Sequence, residues 1–264
     1  MEPYIPLKTS LEIARIRKAC SIVGSILSSL KGFIGVGIST EEIDEFCTRA
    51  MKDAGAVPAL LNYRNFPKHV CTSVNHIAAH GIPGSYALQN GDIITVDITV
   101  SFEGWHGDGA WTYCVGTPDR DARRLVRAAW ESSCSGIRAA RAGGRLGDIG
   151  HAVETVARKY GCSVVESFVG HGIGRHLHEE PMVVHTGIEG TGIPIVPGMV
   201  FTIEPILTLG SPEMEVLPDG WSVMAKDNSL CAQFEQTIAV TGKRTEILTR
   251  RNSAPETQEN FPPF

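Results

Sequence analysis

The sequence has no apolar run near the 18 or so residues that a membrane-spanning helix needs. The first residues, Met1-Glu2-Pro3-Tyr4-Ile5-Pro6, show no basic-then-apolar leader. There is no excess of positive charge: 24 Lys and Arg stand against 29 Asp and Glu, a net charge of -5, which argues against sequence-specific nucleic-acid binding. No low-complexity linker divides the chain. The seven cysteines are odd in number and none is spaced Cys-x-x-Cys, so they read as reduced thiols in a cytoplasmic protein. What is present is ample core material. Hydrophobic residues make up 42% of 264, enough for one large domain or two intimate halves.

The most informative stretch covers residues 91–116. Gly91-Asp92-Ile93-Ile94-Thr95-Val96-Asp97-Ile98-Thr99-Val100 alternates like a strand, with Ile94, Val96, Ile98 and Val100 on one face and Thr95, Asp97 and Thr99 on the other. Glu103, Gly104 and Gly107 are expected to supply a turn, and Asp108 opens the returning strand. Such a hairpin can bring Asp97 and Asp108 side by side. Two facing carboxylates repel unless a proton or a cation lies between them. Alone, the pair equally fits two solvent-facing acids on an ordinary hairpin.

A second stretch repeats the pattern. Gly198-Met199-Val200-Phe201-Thr202-Ile203-Glu204 matches residues 91–97 as Gly, any residue, two apolar residues, Thr, apolar, acid. Phe234-Glu235-Gln236-Thr237-Ile238-Ala239-Val240 then takes the place of the Asp108 strand. Helices are expected over residues 9–31, where Thr9 and Glu12 fit a capping box, and after Ser39, where Glu42 fits another and Gly55 ends the helix. Two more are expected over residues 118–142 and 147–160. A helix pair therefore precedes the strands of each half, about residues 10–117 and 118–250, within one domain spanning 1–264; residues 252–264 read as a flexible tail. Residues 57–69 read as loop and residues 70–75 as a strand. His80-Gly81-Ile82-Pro83-Gly84 reads as a turn whose histidine, taken alone, fits a surface position.

Gly170-His171-Gly172-Ile173-Gly174 lacks the Lys-Ser/Thr end of a phosphate loop and fits better a backbone-hugging loop that holds His171 and His178 near a strand end. Four carboxylates and one imidazole make an oxygen-rich set suited to Mn, Fe(II) or Co rather than a thiolate zinc site. Five such ligands suit two ions about 3.5–4 Å apart.

The ordered set Asp97, Asp108, His171, Glu204, Glu235, with its flanks His106-Gly107-Asp108, Gly170-His171-Gly172-Ile173-Gly174 and Thr202-Ile203-Glu204-Pro205, resembles the dinuclear metallopeptidases of the pita-bread fold. Within them the chain is similar to bacterial type I methionine aminopeptidases from about residue 10 to 250. Cys71-Thr72-Ser73-Val74-Asn75 before His80-Gly81-Ile82-Pro83, then His178-Glu179-Glu180-Pro181, and Lys226-Asp227 before Ala232-Gln233-Phe234-Glu235 carry the finer match.

That resemblance implies an α/β (α+β) fold of two pseudo-symmetric halves, an antiparallel sheet covered by two pairs of helices. It implies Asp97 on one ion, His171 and Glu204 on the other, and Asp108 and Glu235 bridging two divalent ions (Co, Mn, Fe(II) or Zn). Glu204 would shuttle a proton, His178 stabilise the oxyanion and His80 meet the amide nitrogen or help it leave. Tyr63, Phe66, Cys71, Leu177 and Trp221 would line the methionine pocket, with Cys71 a buried wall thiol and no nucleophile. A single Na or K ion would sit on the main-chain carbonyls of Asn75, Ile77 and Cys231. No family role attaches to His69, His76, His151 or His185. The implied partner is the N-terminal methionine of nascent polypeptides, met by a monomer with no membrane contact. Relatives are expected to dock on the ribosome through a basic loop; here residues 210–220 carry Glu213, Glu215 and Asp219, which phosphate repels. Leu177 and Phe66 also depart from the aromatic and tyrosine usual there. The competing readings are a proline-directed aminopeptidase or prolidase of the same fold, usually with a large extra N-terminal domain, and a pita-bread binding protein, which loses ligands that this chain keeps.

Overall fold

The computed structural model describes residues 4–250. The tail over 252–264 lies outside them. Helix α1 (Ser10–Leu30) starts where Thr9 accepts the Glu12 amide at 3.3 Å and the Glu12 carboxylate accepts the Thr9 amide at 2.8 Å. Helix α2 (Thr40–Asp53) repeats the device with Ser39 and Glu42. Each reciprocal cap satisfies two otherwise unpaired donors, a contribution of about 1 kcal/mol. Helix α3 (Arg120–Ala139) is shorter at both ends than the apolar pattern suggests. Asp119 caps it by accepting the Ala122 amide at 2.7 Å, and Ala140, with ψ of 80°, leaves the helical region. Helix α4 covers Leu146–Lys159, and Gly161 follows at a φ of 66°.

The strands of the first half are β1 (Val57–Pro58), β2 (Cys71–Val74), β3 (Ile77–Ala79), β4 (Ile93–Phe102) and β5 (Trp105–Cys114). Those of the second half are β6 (Ser163–Val164), β7 (Gly170–Gly172), β8 (Glu179–Val183), β9 (Val200–Ile203), β10 (Ile206–Thr208), β11 (Met214–Val216), β12 (Val223–Ala225), β13 (Cys231–Gln233), β14 (Gln236–Val240) and β15 (Thr245–Ile247). Two principal sheets result: β1-β4-β2 with β5 on β4, and β15-β14-β9-β7-β8. Two three-stranded sheets, β13-β10-β6 and β11-β12-β3, complete the set, and β3 and β10 meet their partners antiparallel like the rest. The stretch over 57–69, which reads as loop in the sequence, contains a short strand and a tight helical turn, Tyr63–Asn65.

The repeat has a backbone counterpart. Gly91 and Gly198 both open their strands with positive φ, 102° and 97°, a conformation that costs other residues strain. The hairpin turn differs from expectation. Glu103 (φ 51°) and Gly104 (φ 74°) alone make a two-residue turn, as strand twist favours. Gly107 lies within β5, where a Cβ would sit 2.5 Å from the Cys20 amide nitrogen. It is there because α1 crosses the strand at backbone distance.

Ile94, Val96, Ile98 and Val100 are fully buried in the main core with α1 and α2. The opposite face of β4 does not meet solvent: Thr95 and Thr99 are buried and Asp97 is half-buried. Alternation along this strand separates core from cleft. Strand β5 stitches the first principal sheet to the second half of the chain, at β13, at Glu235 and at β14. The Glu235 amide donates to Ala110 O at 2.7 Å, Thr112 Oγ1 donates to Gln233 O at 2.8 Å, and Thr237 Oγ1 donates to Asp108 O at 2.8 Å.

Candidate metal centre and substrate cavity

Strand register decides which acids meet. In the β4–β5 ladder Thr99 faces Asp108 and Asp97 faces Ala110, so Asp97 and Asp108 are diagonal neighbours on the cleft face. Thr99 Oγ1 donates to Asp108 Oδ1 at 2.9 Å. In the second sheet Gln236 pairs with Ile203, which puts Glu204 and Glu235 at the adjoining ends of β9 and β14. His171 enters from β7, whose Gly172 pairs with Phe201 of β9. Its amide donates to Thr202 Oγ1 at 2.9 Å, and that hydroxyl donates to Glu204 Oε1 at 2.6 Å.

The imidazole of His171 is oriented by its other nitrogen. Nδ1 lies 3.0 Å from Gly172 O, so it carries the proton and Nε2 keeps a free lone pair. Nε2 lies 3.6 Å from Glu204 Oε1 and 3.7 Å from Asp108 Oδ2, too far to hydrogen bond. Donor atoms of Asp108, His171 and Glu235 all fall within 4.8 Å of one another. Asp97 Oδ1 is buried with no hydrogen-bond partner. Burial drives the carboxyls of Asp97, Glu204 and Glu235 well above their ordinary range, with Asp108 adding repulsion in each case; Asp108 itself is pushed up to about 6, mainly by burial. Among the described residues the His171 imidazole approaches both Asp108 and Glu204, His178 also acts on Asp108, and no lysine or arginine pairs with either acid. An orphaned buried oxygen, a free imidazole lone pair and four mutually repelling acids fit divalent cations as the missing charge.

All five residues line one cavity of about 190 Å³. So do Tyr63, Phe66, Cys71, His80, Leu177, His178 and Trp221. Phe66 and Trp221 meet edge to face at 5.2 Å, and Trp221 lies 6.0 Å from His80. Tyr63 OH is 2.7 Å from His178 Nδ1. A phenol that donates there leaves the second imidazole nitrogen as the N–H donor. Burial and the neighbouring His171 lower the His178 pKa to about 4, which keeps the ring neutral at pH 7. Cys71 is free and buried, and burial raises its thiol well above the usual value, as suits a wall and not a nucleophile. Of the three residues expected to offer carbonyls to a monovalent ion, Asn75 has φ 53° and its carbonyl accepts the Cys231 amide at 2.8 Å, while Ile77 opens β3.

Several residues at the site carry no signal in the sequence. His185 is buried, and its Nε2 accepts the Glu204 amide at 3.1 Å. Phe168 closes the cavity and meets His80 edge to face at 5.4 Å. Thr99 and Thr202 share a face with the acids, so the period-two pattern contained their positions but not their bonds. His69 has a structural partner: its Nδ1 lies 2.7 Å from Asp44 of α2.

The sequence matches Metallopeptidase family M24 over residues 14–242. The chain belongs to this family. Among M24 relatives it is 43% identical over 243 residues to "Methionine aminopeptidase 1" of Bacillus subtilis, covering 92% of this chain and 98% of the other. The crystal structure of methionine aminopeptidase from Rickettsia prowazekii superposes with a TM-score of 0.91 at 38% identity, covering 93% of this chain and 100% of that one. A prolidase from Pyrococcus furiosus shares the fold alone, with a TM-score of 0.71 at 22% identity, and 65% of its length is covered. The fold is thus the pita-bread fold of the M24 metallopeptidases. Among the described residues no helix is long and apolar enough to cross a membrane.

Proposed function

We propose that the chain is a metal-dependent aminopeptidase that removes the N-terminal methionine from nascent polypeptides with a small second residue. One observation carries the reading. The buried acid–histidine cluster and an aromatic, apolar pocket share a single cavity, in a chain similar over most of its length to proteins named methionine aminopeptidase. Asp97, Asp108, His171, Glu204 and Glu235, which line that cavity together, would hold the divalent metal. The ions, when bound, supply Lewis acidity toward water and toward the scissile carbonyl.

The chain's own groups do the rest. Phe66, Leu177, Trp221 and the Cys71 wall receive the methionine thioether, whose sulfur gains from ring edges. Glu204 has one oxygen committed to Thr202; the other takes a proton from the attacking water and returns it to the leaving amine. His178, held by Tyr63, donates its N–H to the developing oxyanion. His80 meets the amide nitrogen from the Phe168 and Trp221 side. The main-chain carbonyls of Asn75, Ile77 and Cys231 would hold a Na or K ion. The enzyme acts as a cytoplasmic monomer, a single domain of two halves. If it meets the ribosome, the acidic 210–220 segment is not the contact.

The proline-directed reading is disfavoured because prolidases share only the fold, and the binding-module reading because all five ligands remain. The test uses stripped protein reloaded with Mn, Fe(II), Co or Zn singly, against Met-Ala-Ser, Met-Lys-Ser and Ala-Pro-Ser. Metal-dependent methionine release from the first peptide only is expected. Cleavage of the proline peptide moves the chain to the prolidase-like group, and no cleavage with any metal supports a binding protein.

A further inference from the structure

Arg64 is unusual in its backbone, its place and its charge. It lies in the tight turn that leads into Phe66, and its φ of 47° is left-handed. Asn62 and Asn65 of the same turn are also left-handed, at 64° and 72°. Asparagine tolerates that region; an arginine there is strained. Strain of this kind gathers at functional sites, held by surrounding structure. The turn is closed by backbone bonds, Asn62 N to Phe66 O at 2.9 Å and Phe66 N to Tyr63 O at 2.9 Å. Arg64 is therefore fixed at the cleft by the backbone and not by its side chain.

The side chain is exposed, yet it lines the cavity and, among the described residues, is the only lysine or arginine that does. Its guanidinium lies 5.4 Å from the centre of the Tyr63 ring, and Tyr63 is the partner of His178. Among the described residues it forms no ion pair with a carboxylate; it lies against that ring, and its charge also acts on His178. The acids deeper in the cavity are committed to cations on the functional reading above, and the chain as a whole is acidic. Among the described residues that line the cavity, Arg64 thus offers an exposed guanidinium that no carboxylate of the chain pairs.

We propose that Arg64 is a specificity-determining residue that recognises a carboxylate on the substrate just beyond the scissile bond. The inference rests on the aminopeptidase reading. Two carboxylates could meet it: an Asp or Glu side chain at the third or fourth position, or the C-terminus of a short peptide. The guanidinium fork suits either. An exposed pair of this sort changes affinity by about two- to five-fold, and salt screens it.

The test measures kcat/KM for metal-loaded protein on C-terminally amidated Met-Ala-Asp-Ser, Met-Ala-Ser-Asp and the two lysine counterparts. Met-Ala-Ser is run as free acid and as amide. The variants are Arg64→Asn, which keeps a residue at ease in the left-handed turn without its charge, and Arg64→Lys, which keeps the charge. The expected result is an aspartate-over-lysine ratio of about two to five in the parent, reduced to about one in Arg64→Asn, largely kept in Arg64→Lys, and compressed by 0.5 M salt. A preference for free acid over amide that vanishes only in Arg64→Asn supports the terminal carboxylate as the source. An aspartate-to-lysine ratio that is the same in the parent and Arg64→Asn, with no free-acid preference, overturns the proposal while methionine release continues. Absence of methionine release from every peptide by the parent overturns the underlying reading as well.

Discussion

Replacing Asp108 by Asn should stabilise the metal-free protein while disabling the metal site. Asp108 is buried and its carboxyl is pushed from an ordinary 3.8 up to about 6, mainly by burial. An acid raised in the folded state contributes its stability fully below 3.8 and loses it as pH rises through about 6. The shift amounts to about 3 kcal/mol of folding free energy lost by pH 7.5, and about half of that by pH 5. The Asp108→Asn side chain is uncharged at both pH values, and its amide oxygen can still accept from Thr99. Removing this charge also relieves Asp97, Glu204 and Glu235, each of which Asp108 repels.

The assay is thermal and urea unfolding in chelator at pH 5 and pH 7.5. A gain of about 3 kcal/mol corresponds to a midpoint rise of roughly 6–12 °C for a chain of this size. Added Mn(II) should then stabilise the parent far more than the variant, because ligand binding to the folded state adds stability by mass action. An Asp108→Asn protein no more stable than the parent in chelator at pH 7.5 would refute this reasoning. So would an advantage that is the same at both pH values.

Other outcomes follow from the same geometry. His185→Ala removes the acceptor of the Glu204 amide and should weaken Mn(II) binding about 10- to 100-fold by calorimetry; His185→Gln, which can present an oxygen near Nε2, should recover most of it. Gly107→Ala places a methyl group 2.5 Å from the Cys20 amide nitrogen, and urea unfolding should show a loss of about 2–3 kcal/mol. Cys71 is buried with a raised thiol pKa, so iodoacetamide at pH 8 should leave it unlabelled in the native protein by peptide mass spectrometry, and activity should persist. Leu177→Phe changes an apolar wall of the cavity and none of the ion donors, so it should alter the affinity for methionine analogues more than that for Mn(II).

Local rules made much of this fold legible. The capping boxes at Thr9 and Ser39 mark their helix starts because the bonds involved span only three residues. The period-two pattern of β4 and the glycine-led repeat at Gly198 identified the strands that carry Asp97 and Glu204. The five acid and histidine positions were legible because their flanking motifs are specific, and the structure brings them to one cavity. Other features depend on contacts between distant segments. Gly107 reads as a turn glycine in sequence, and only the crossing of α1 shows why a side chain has no room. His185 has no local pattern: its meaning is a bond to a residue 19 positions away. The strained turn at Arg64 likewise has no signature, since Tyr63-Arg64-Asn65 contains no glycine to announce left-handed backbone. Alternation along β4 distinguished two faces but could not say that the polar one lines a cleft instead of meeting solvent.

Methionine release should depend on ions held by the cavity's acids and His171. The most direct test is a Mn(II) titration of chelator-stripped parent and His171→Ala protein, following bound metal and methionine release from Met-Ala-Ser together, with circular dichroism to verify the fold of both. Release by the parent is expected to rise with bound metal, while the folded variant binds Mn(II) weakly and releases essentially no methionine. Release by the stripped parent without metal, or normal turnover by the folded variant, would contradict that dependence.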